Sequence, residues 1–200
     1  MTEYEFICLG SNCSVTFQLN KFNLRNNSYP FDWSRINIYQ LLNVLQNNFN
    51  HYHDTIKFIK ISKNHNIVDT HNNIIDQNSI ILTNKYNIKF AHEIYNITQF
   101  NQFIINIQKR IDRFKNINHI DKKIIFVRIE LDNINSNWIN NIYKLIELLN
   151  NFTTNYILKL IINSEQQFHF PDFVQIYKFN YFDPDWKMNH INWNIIFSFI

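Results

Sequence analysis

A cysteine near the N-terminus lies where a strand is expected to give way to a helix. The sequence LGSNCSV occupies residues 9–15, with the chain's only glycine, Gly10, three residues before Cys13. The apolar run ending at Leu9 is typical of a buried strand, and the residues after Cys13 carry apolar side chains at helical spacing. A helix N-terminus favours anions, so this position predicts a pKa for Cys13 below that of a free thiol. Cys13 is therefore a candidate nucleophile, and the alternative interpretation is a small buried hydrophobic residue.

The turn around Cys13 is also suited to stabilising a developing negative charge. Backbone N–H groups of the first helical turn, with the polar residues Ser11, Asn12 and Ser14, are the predicted oxyanion and first-turn support. Cys8 lies inside the expected strand, between two apolar neighbours, and is predicted to be a core residue.

A cysteine nucleophile needs a base, and the chain has eight histidines. His92 follows a short apolar strand candidate at residues 88–90, so a strand end would present it. Four other histidines lie in polar, Asn-rich stretches, and His119 lies in a link between a helix and a strand. His92 is the candidate base. The alternative is a structural histidine whose ring nitrogens are hydrogen-bonded within the fold.

A third, orienting residue is not fixed by any motif, and the acids Asp32, Glu130 and Asp132 compete for the role. Asp32 is favoured because it stands between two large aromatic residues, where an unpaired carboxylate would be expensive to bury. A carboxylate beside His92 would fix the imidazole tautomer. The alternative is that Asp32 caps a helix beginning near Ser34.

Two other classes of function remain open from the residues alone. A serine hydrolase would use Ser11 or Ser14 as nucleophile, with Asp185 and His190 near the C-terminus as partners. A catalytically inactive binding or adaptor domain would use the aromatic segment at residues 29–33 and the C-terminal aromatic residues to hold a partner.

The elements that must position these residues alternate between strands and helices. Strands are predicted at residues 4–9, 123–131, 156–162 and 174–179, with shorter candidates at 56–61, 67–68, 80–82 and 88–90. Helices are predicted from about Cys13, over the apolar positions 38–45, and at 100–114, 138–149 and 192–199. Apolar strands alternating with helices favour an α/β fold, with a largely parallel or mixed central sheet flanked by helices on both faces. No linker divides residues 1–200, so a single domain is expected.

Composition excludes several classes of protein. One glycine is too few for a P-loop, a G-x-G-x-x-G turn, a G-x-S-x-G elbow or an EF-hand. Two cysteines with four residues between them match neither a disulfide framework nor a zinc site, and neither a metal nor a cofactor is predicted. The basic cluster at residues 109–115 is interpreted as a solvated helix face, so no nucleic-acid partner is expected. The absence of a long apolar run and of a signal peptide predicts a cytoplasmic protein without a membrane partner.

Several motifs together resemble a family of papain-like cysteine peptidases known from bacteria and large DNA viruses. The resemblance spans nearly the whole chain, and its motifs are LGSNCSV at 9–15, YPFDW at 29–33, FAH at 90–92, KRIDRF at 109–114 and IFVR at 125–128. It implies a thiol hydrolase with Cys13 as nucleophile and His92 as base. The implied substrate is an amide or acyl bond in a peptide or protein conjugate. The resemblance also implies a papain-like α+β arrangement as the alternative to the layered α/β sheet.

Overall fold

The computed structural model describes residues 3–62, 67–68, 74–76, 79–90, 93–94, 96–131, 134–164, 166–179 and 186–198. The strands, in chain order, are β1 (Tyr4–Cys8), β2 (Ser34–Arg35), β3 (Lys57–Ser62), β4 (Ile67–Val68), β5 (Ile74–Asp76), β6 (Ser79–Thr83), β7 (Lys89–Phe90), β8 (Lys123–Glu130), β9 (Tyr156–Ile162) and β10 (Val174–Lys178). The helices are α1 (Ser14–Lys21), α2 (Ile38–Gln46), α3 (Phe100–Lys115), α4 (Ser136–Asn150) and α5 (Trp193–Phe197). Short 3₁₀ turns at Ile97–Gln99 and Ile117–His119 flank α3.

The central sheet is parallel, with the strand order β1-β8-β9-β10. Phe6 of β1 lies opposite Ile125 of β8, and Phe126 of β8 lies opposite Leu158 of β9. These strands are nearly continuous apolar runs because both faces of a parallel sheet are covered. The predicted parallel sheet is confirmed.

Helices cover both faces of this sheet and divide the core in two. Because alternate strand residues point to opposite faces, Ile124 and Phe126 pack towards α2, α3 and α4. Ile125 and Val127 pack towards α1 and α5. The layered α/β arrangement is therefore confirmed, in place of the papain-like α+β alternative.

A second, antiparallel sheet has the order β2-β7-β6-β3, and β4 and β5 form a separate hairpin. The sequence predicted strands at β3, β4, β6 and β7 but missed β2 and β5; the residues of β2 were considered only as a possible helix start. Ser34 pairs with Phe90 and Arg35 with Lys89, so β2 joins the chain after α1 to the end of β7. No helix in the described ranges is both long and apolar enough to cross a membrane.

Candidate active site

The turn between β1 and α1 depends on the one glycine in the chain. Gly10 has φ +76°, in the left-handed region that favours glycine, and a Cβ there would lie 2.1 Å from Cγ2 of Ile36. Ser11 is also left-handed, with φ +86°. Two consecutive left-handed residues turn the chain sharply after β1, where Gly10 lies beside Ser34 and Ile36, and α1 begins at Ser14.

Cys13 is the N-cap residue of α1, as its predicted place in the first turn required. Cys13 is partly exposed, whereas Cys8 is 1 % exposed and its Sγ accepts a hydrogen bond from the Gly10 N–H at 3.3 Å. The prediction that Cys8 belongs to the core is confirmed. Of the two thiols, Cys13 is the one that a substrate can approach.

The predicted oxyanion support is arranged as a local hydrogen-bonded cap. Oδ1 of Asn12 accepts from the Ser14 N–H at 2.9 Å and from the Ser14 hydroxyl. Ser11 is buried beside them. An oxyanion at this turn would therefore take the place of Asn12 Oδ1 at the Ser14 N–H.

The serine alternative finds a less suitable nucleophile here. Ser14 is 0 % exposed and its hydroxyl is bound to Asn12, and Ser11 is buried as well. Asp185 lies outside the described residues. His190 is exposed, and its ring lies 6.1 Å from that of Phe179, which follows the last strand of the sheet.

The prediction of a lowered pKa for Cys13 is wrong. Burial raises the pKa of the Cys13 thiol to about 12, the Cys8 thiol and the Glu93 carboxylate add to the rise, and Arg35 opposes it. Protein packs closely around the sulfur although some of the residue remains accessible, and desolvation of the thiolate is the largest cause of the raised pKa. The structure therefore describes a neutral thiol at neutral pH.

His92 lies outside the described residues, but the chain on both sides of it is described. Phe90, two residues before it, pairs with Ser34, and Oγ of Ser34 lies 3.4 Å from the position that a Cβ on Gly10 would occupy. The Glu93 carboxylate, directly after His92, raises the pKa of the Cys13 thiol through its charge. Both flanks of residues 91–92 therefore border the turn that carries the thiol.

Glu93 is itself held by an ion pair from α3. Its two carboxylate oxygens accept from Nη1 and Nη2 of Arg110 at 2.5 and 3.0 Å, and both side chains are largely buried. Burial raises the pKa of the Glu93 carboxyl, while the hydrogen bonds and charge of Arg110 lower it. This pair anchors the segment that follows His92 to the neighbouring helix.

Asp32 is buried and paired, as its position between aromatic residues predicted. The side chain is 2 % exposed, and Oδ2 accepts from Nε and Nη2 of Arg25 at 3.0 and 2.8 Å and from the Tyr29 N–H at 2.9 Å. The helix-capping alternative is wrong, because α2 begins at Ile38 and is capped by Asn37. The role of Asp32 in orienting His92 stays a prediction.

Glu130 is engaged in a buried network that the sequence did not reveal. It accepts from Nε and Nη2 of Arg128 at 3.1 and 3.0 Å and from the Trp138 indole N–H at 3.1 Å. Arg128 is 0 % exposed and donates from Nη1 to the Leu9 carbonyl at 3.0 Å. The two charged residues inside the otherwise apolar strand β8 are the sequence signal that could have identified this buried network. Asp132, the third candidate acid, lies outside the described residues.

The aromatic segment at residues 29–33 is mainly structural. Tyr29 and Phe31 are fully buried, and the Phe31 ring stacks on that of Phe49 at 5.6 Å. Trp33 is partly exposed and has φ +55°. Tyr29 and Phe31 therefore belong to the core on the α2, α3 and α4 side of the sheet, and Trp33 is the member that a ligand could reach.

The C-terminal segment packs on α1, near the thiol. Nε2 of Gln18 donates to the Lys187 carbonyl at 2.7 Å, and the rings of Phe17 and Trp186 meet edge to face at 5.3 Å. Phe17 is one helical turn beyond Cys13, so Trp186 borders the same end of the sheet. Among the described residues, no group of three or more His, Cys, Asp or Glu side chains could hold a metal ion.

Comparison with known proteins agrees with the motifs around Cys13. An uncharacterized protein of Acanthamoeba polyphaga mimivirus is 28 % identical over 216 residues, which is 96 % of this chain and 96 % of the viral protein. No solved structure matches the chain significantly. A family model described as "Putative papain-like cysteine peptidase (DUF1796)" matches residues 4–164, well over half of the sequence. The chain belongs to this family.

Proposed function

We propose that the protein is a cysteine hydrolase that cleaves an amide or acyl bond of a peptide or protein conjugate. The observation that carries this proposal is the position of Cys13: a partly exposed thiol at the start of α1, bordered by both flanks of residues 91–92. Membership of a family named for papain-like cysteine peptidases supports the same reaction. Cys13 is the proposed nucleophile and His92 the proposed base.

The raised pKa of Cys13 determines how the reaction would begin. A neutral thiol is a poor nucleophile, so the His92 imidazole removes the proton while Sγ forms a bond to the carbonyl carbon. N–H groups at the start of α1 stabilise the oxyanion. The intermediate collapses to a thioester as the bond to the leaving group breaks, and the imidazolium protonates that group. Water, deprotonated by His92, then releases the acid and restores the thiol.

A second candidate function is a binding domain of the same fold that does not cleave its ligand. Two observations favour it: burial raises the pKa of Cys13, and the candidate acids Asp32 and Glu130 are both held by arginines. If Asp32 or Glu130 oriented His92, the carboxylate would have to bind the imidazole as well as Arg25 or Arg128.

A substrate panel with matched variants separates these functions. Wild type, Cys13→Ala and His92→Ala are assayed on fluorogenic peptide amides and thioesters, with His119→Ala as the control for an exposed histidine. The proposal expects Cys13→Ala to be inactive, His92→Ala to lose about 10²–10⁴-fold in kcat/KM, and His119→Ala to be unchanged. Ligand binding without turnover, preserved in Cys13→Ala, would establish the binding domain instead. Labelling of Ser11 or Ser14 by a fluorophosphonate would establish the serine hydrolase.

Alkylation tests the neutral thiol directly. Because only the thiolate reacts and the pKa is about 12, iodoacetamide labelling of Cys13 should keep rising between pH 7 and 10, with Cys8 protected in the folded protein. A plateau below pH 8 would show a preformed thiolate and contradict the general-base mechanism.

A further inference from the structure

A basic cleft lies between the loop after α1 and the helix α3. It encloses about 340 Å³ and is lined by residues 26–28 of the loop and by Asn106, Lys109, Arg110 and Arg113 of α3. Three of these side chains are cationic and none is acidic. The volume is within the range of small-ligand sites.

Nearby carboxylates neutralise only part of this charge. Glu93 takes both terminal nitrogens of Arg110, and Asp32 is paired with Arg25 behind the loop. Within the described residues, Lys109 and Arg113 have no carboxylate partner. Two positive charges therefore remain to face the cleft.

The donors around the cleft are held in place before any ligand arrives. Arg113 donates from Nη1 to the Ser28 carbonyl and lies over the Tyr29 ring, 5.9 Å from its centroid. Arg25 donates from Nη2 to Oγ of Ser28 at 2.7 Å, which leaves the hydroxyl hydrogen of Ser28 able to donate. A guanidinium and a hydroxyl fixed in this way match the oxygens of a carboxylate or phosphate.

The same cleft is connected to the candidate active site through Glu93. Arg110 lines the cleft and binds Glu93, and the negative charge of Glu93 in turn interacts with the Cys13 thiol. We propose that the cleft binds an anionic oxygen group, a carboxylate or a phosphate, carried by the substrate of the Cys13 site. The identity of the carrier as a substrate rests on the proposed function, whereas binding of the anionic group does not.

A titration with two simple anions tests the binding. Inorganic phosphate and N-acetyl-aspartate are titrated separately into wild type, Lys109→Gln and Lys144→Gln at constant ionic strength, and binding is followed by amide chemical shifts. Lys144 is an exposed lysine on α4, outside the cleft, and loses the same charge. Saturable binding that is about fivefold weaker in Lys109→Gln and unchanged in Lys144→Gln is the expected result.

The two anions also decide which group the cleft accepts. Tighter binding of phosphate would identify a phosphorylated ligand, and tighter binding of N-acetyl-aspartate an acidic peptide. Saturation by neither anion, or equal weakening in Lys109→Gln and Lys144→Gln, would overturn the inference.

Turnover measurements separate this inference from the proposed function. If Lys109→Gln raises KM for an acidic substrate but not for its neutral analogue, both the cleft inference and the proposed function are supported. If anions bind but Cys13 supports no turnover, the proposed function fails alone. If neutral and acidic substrates are cleaved equally and no anion binds, the cleft inference fails alone.

Discussion

Replacing Gly10 by alanine should destabilise the protein through two separable effects. An L residue held at φ +76° pays about 1–2 kcal/mol for the left-handed conformation. The new Cβ would also lie 2.1 Å from Cγ2 of Ile36, whereas carbon atoms in ordinary contact lie about 3.5–4.0 Å apart. Overpacking of this kind costs about 1–3 kcal/mol. Ile36 is buried and its carbonyl accepts from Arg128, so it cannot retreat freely. The expected loss is about 2–5 kcal/mol, a large part of a typical domain's stability.

Urea unfolding followed by tryptophan fluorescence measures this loss, and a double-mutant cycle isolates the clash. Ile36→Ala removes Cγ2, so the double variant should be less destabilised than the sum of the single variants by about 1–3 kcal/mol. Ser11→Gly is the matched control, because it places glycine in the adjacent left-handed position and should not destabilise. A Gly10→Ala loss below about 1 kcal/mol, or additivity within about 0.5 kcal/mol, would refute the reasoning.

Three further predictions concern buried charges. Asp32→Asn should lower the free energy of unfolding by about 3 kcal/mol, because it leaves Arg25 without its carboxylate; an unchanged urea midpoint would contradict this. Glu130→Gln should cost about 3–5 kcal/mol by leaving Arg128 uncompensated, and the double variant with Arg128→Met should recover most of that loss in the same assay. Burial lowers the pKa of Lys159 from its ordinary 10.5 to about 8, so the unfolded chain binds more protons between those values and stability should rise with pH in that window. The wild-type minus Lys159→Met difference in unfolding free energy, measured at pH 7.5 and 9.5, should show this rise; a pH-independent difference would refute it.

The layered sheet could be predicted because its information is local. Nearly continuous apolar runs at β1, β8 and β9 indicate strands buried on both faces, and the helical periodicity between them indicates the covering helices. Strand β2 could not be predicted, since its two residues carry no apolar alternation. It exists because Ser34 and Arg35 pair with β7, more than fifty residues later in the chain.

The position of Cys13 at a strand-to-helix turn could be predicted, but the pKa of its thiol could not. A single glycine followed by Cys13 is enough to indicate a strand-to-helix turn, and the structure has Cys13 as the N-cap. Whether the thiol titrates low or high depends on how closely unrelated segments pack around it, which spacing does not encode. The partners of Asp32 were missed for a similar reason: Arg25 is only seven residues away, yet nothing in the sequence separates a turn closed by an ion pair from a helix cap.

Arginine pairs at the edge of the site make better sense as positioning devices than as a source of stability. Buried ion pairs often stabilise a fold no better than well-packed apolar residues would, and Arg128 with Glu130 and Arg110 with Glu93 are both largely buried pairs. Each pair fixes a chain segment that borders the thiol: the first holds the carbonyl at the end of β1, and the second holds the chain directly after residue 92. In the proposed mechanism, fixed segments and a desolvated Cys13 belong together, because a base can take the proton as Sγ attacks only if the thiol and the base are held at a fixed distance. Loosening either pair should therefore lower the rate of thiol chemistry more than it changes ligand affinity.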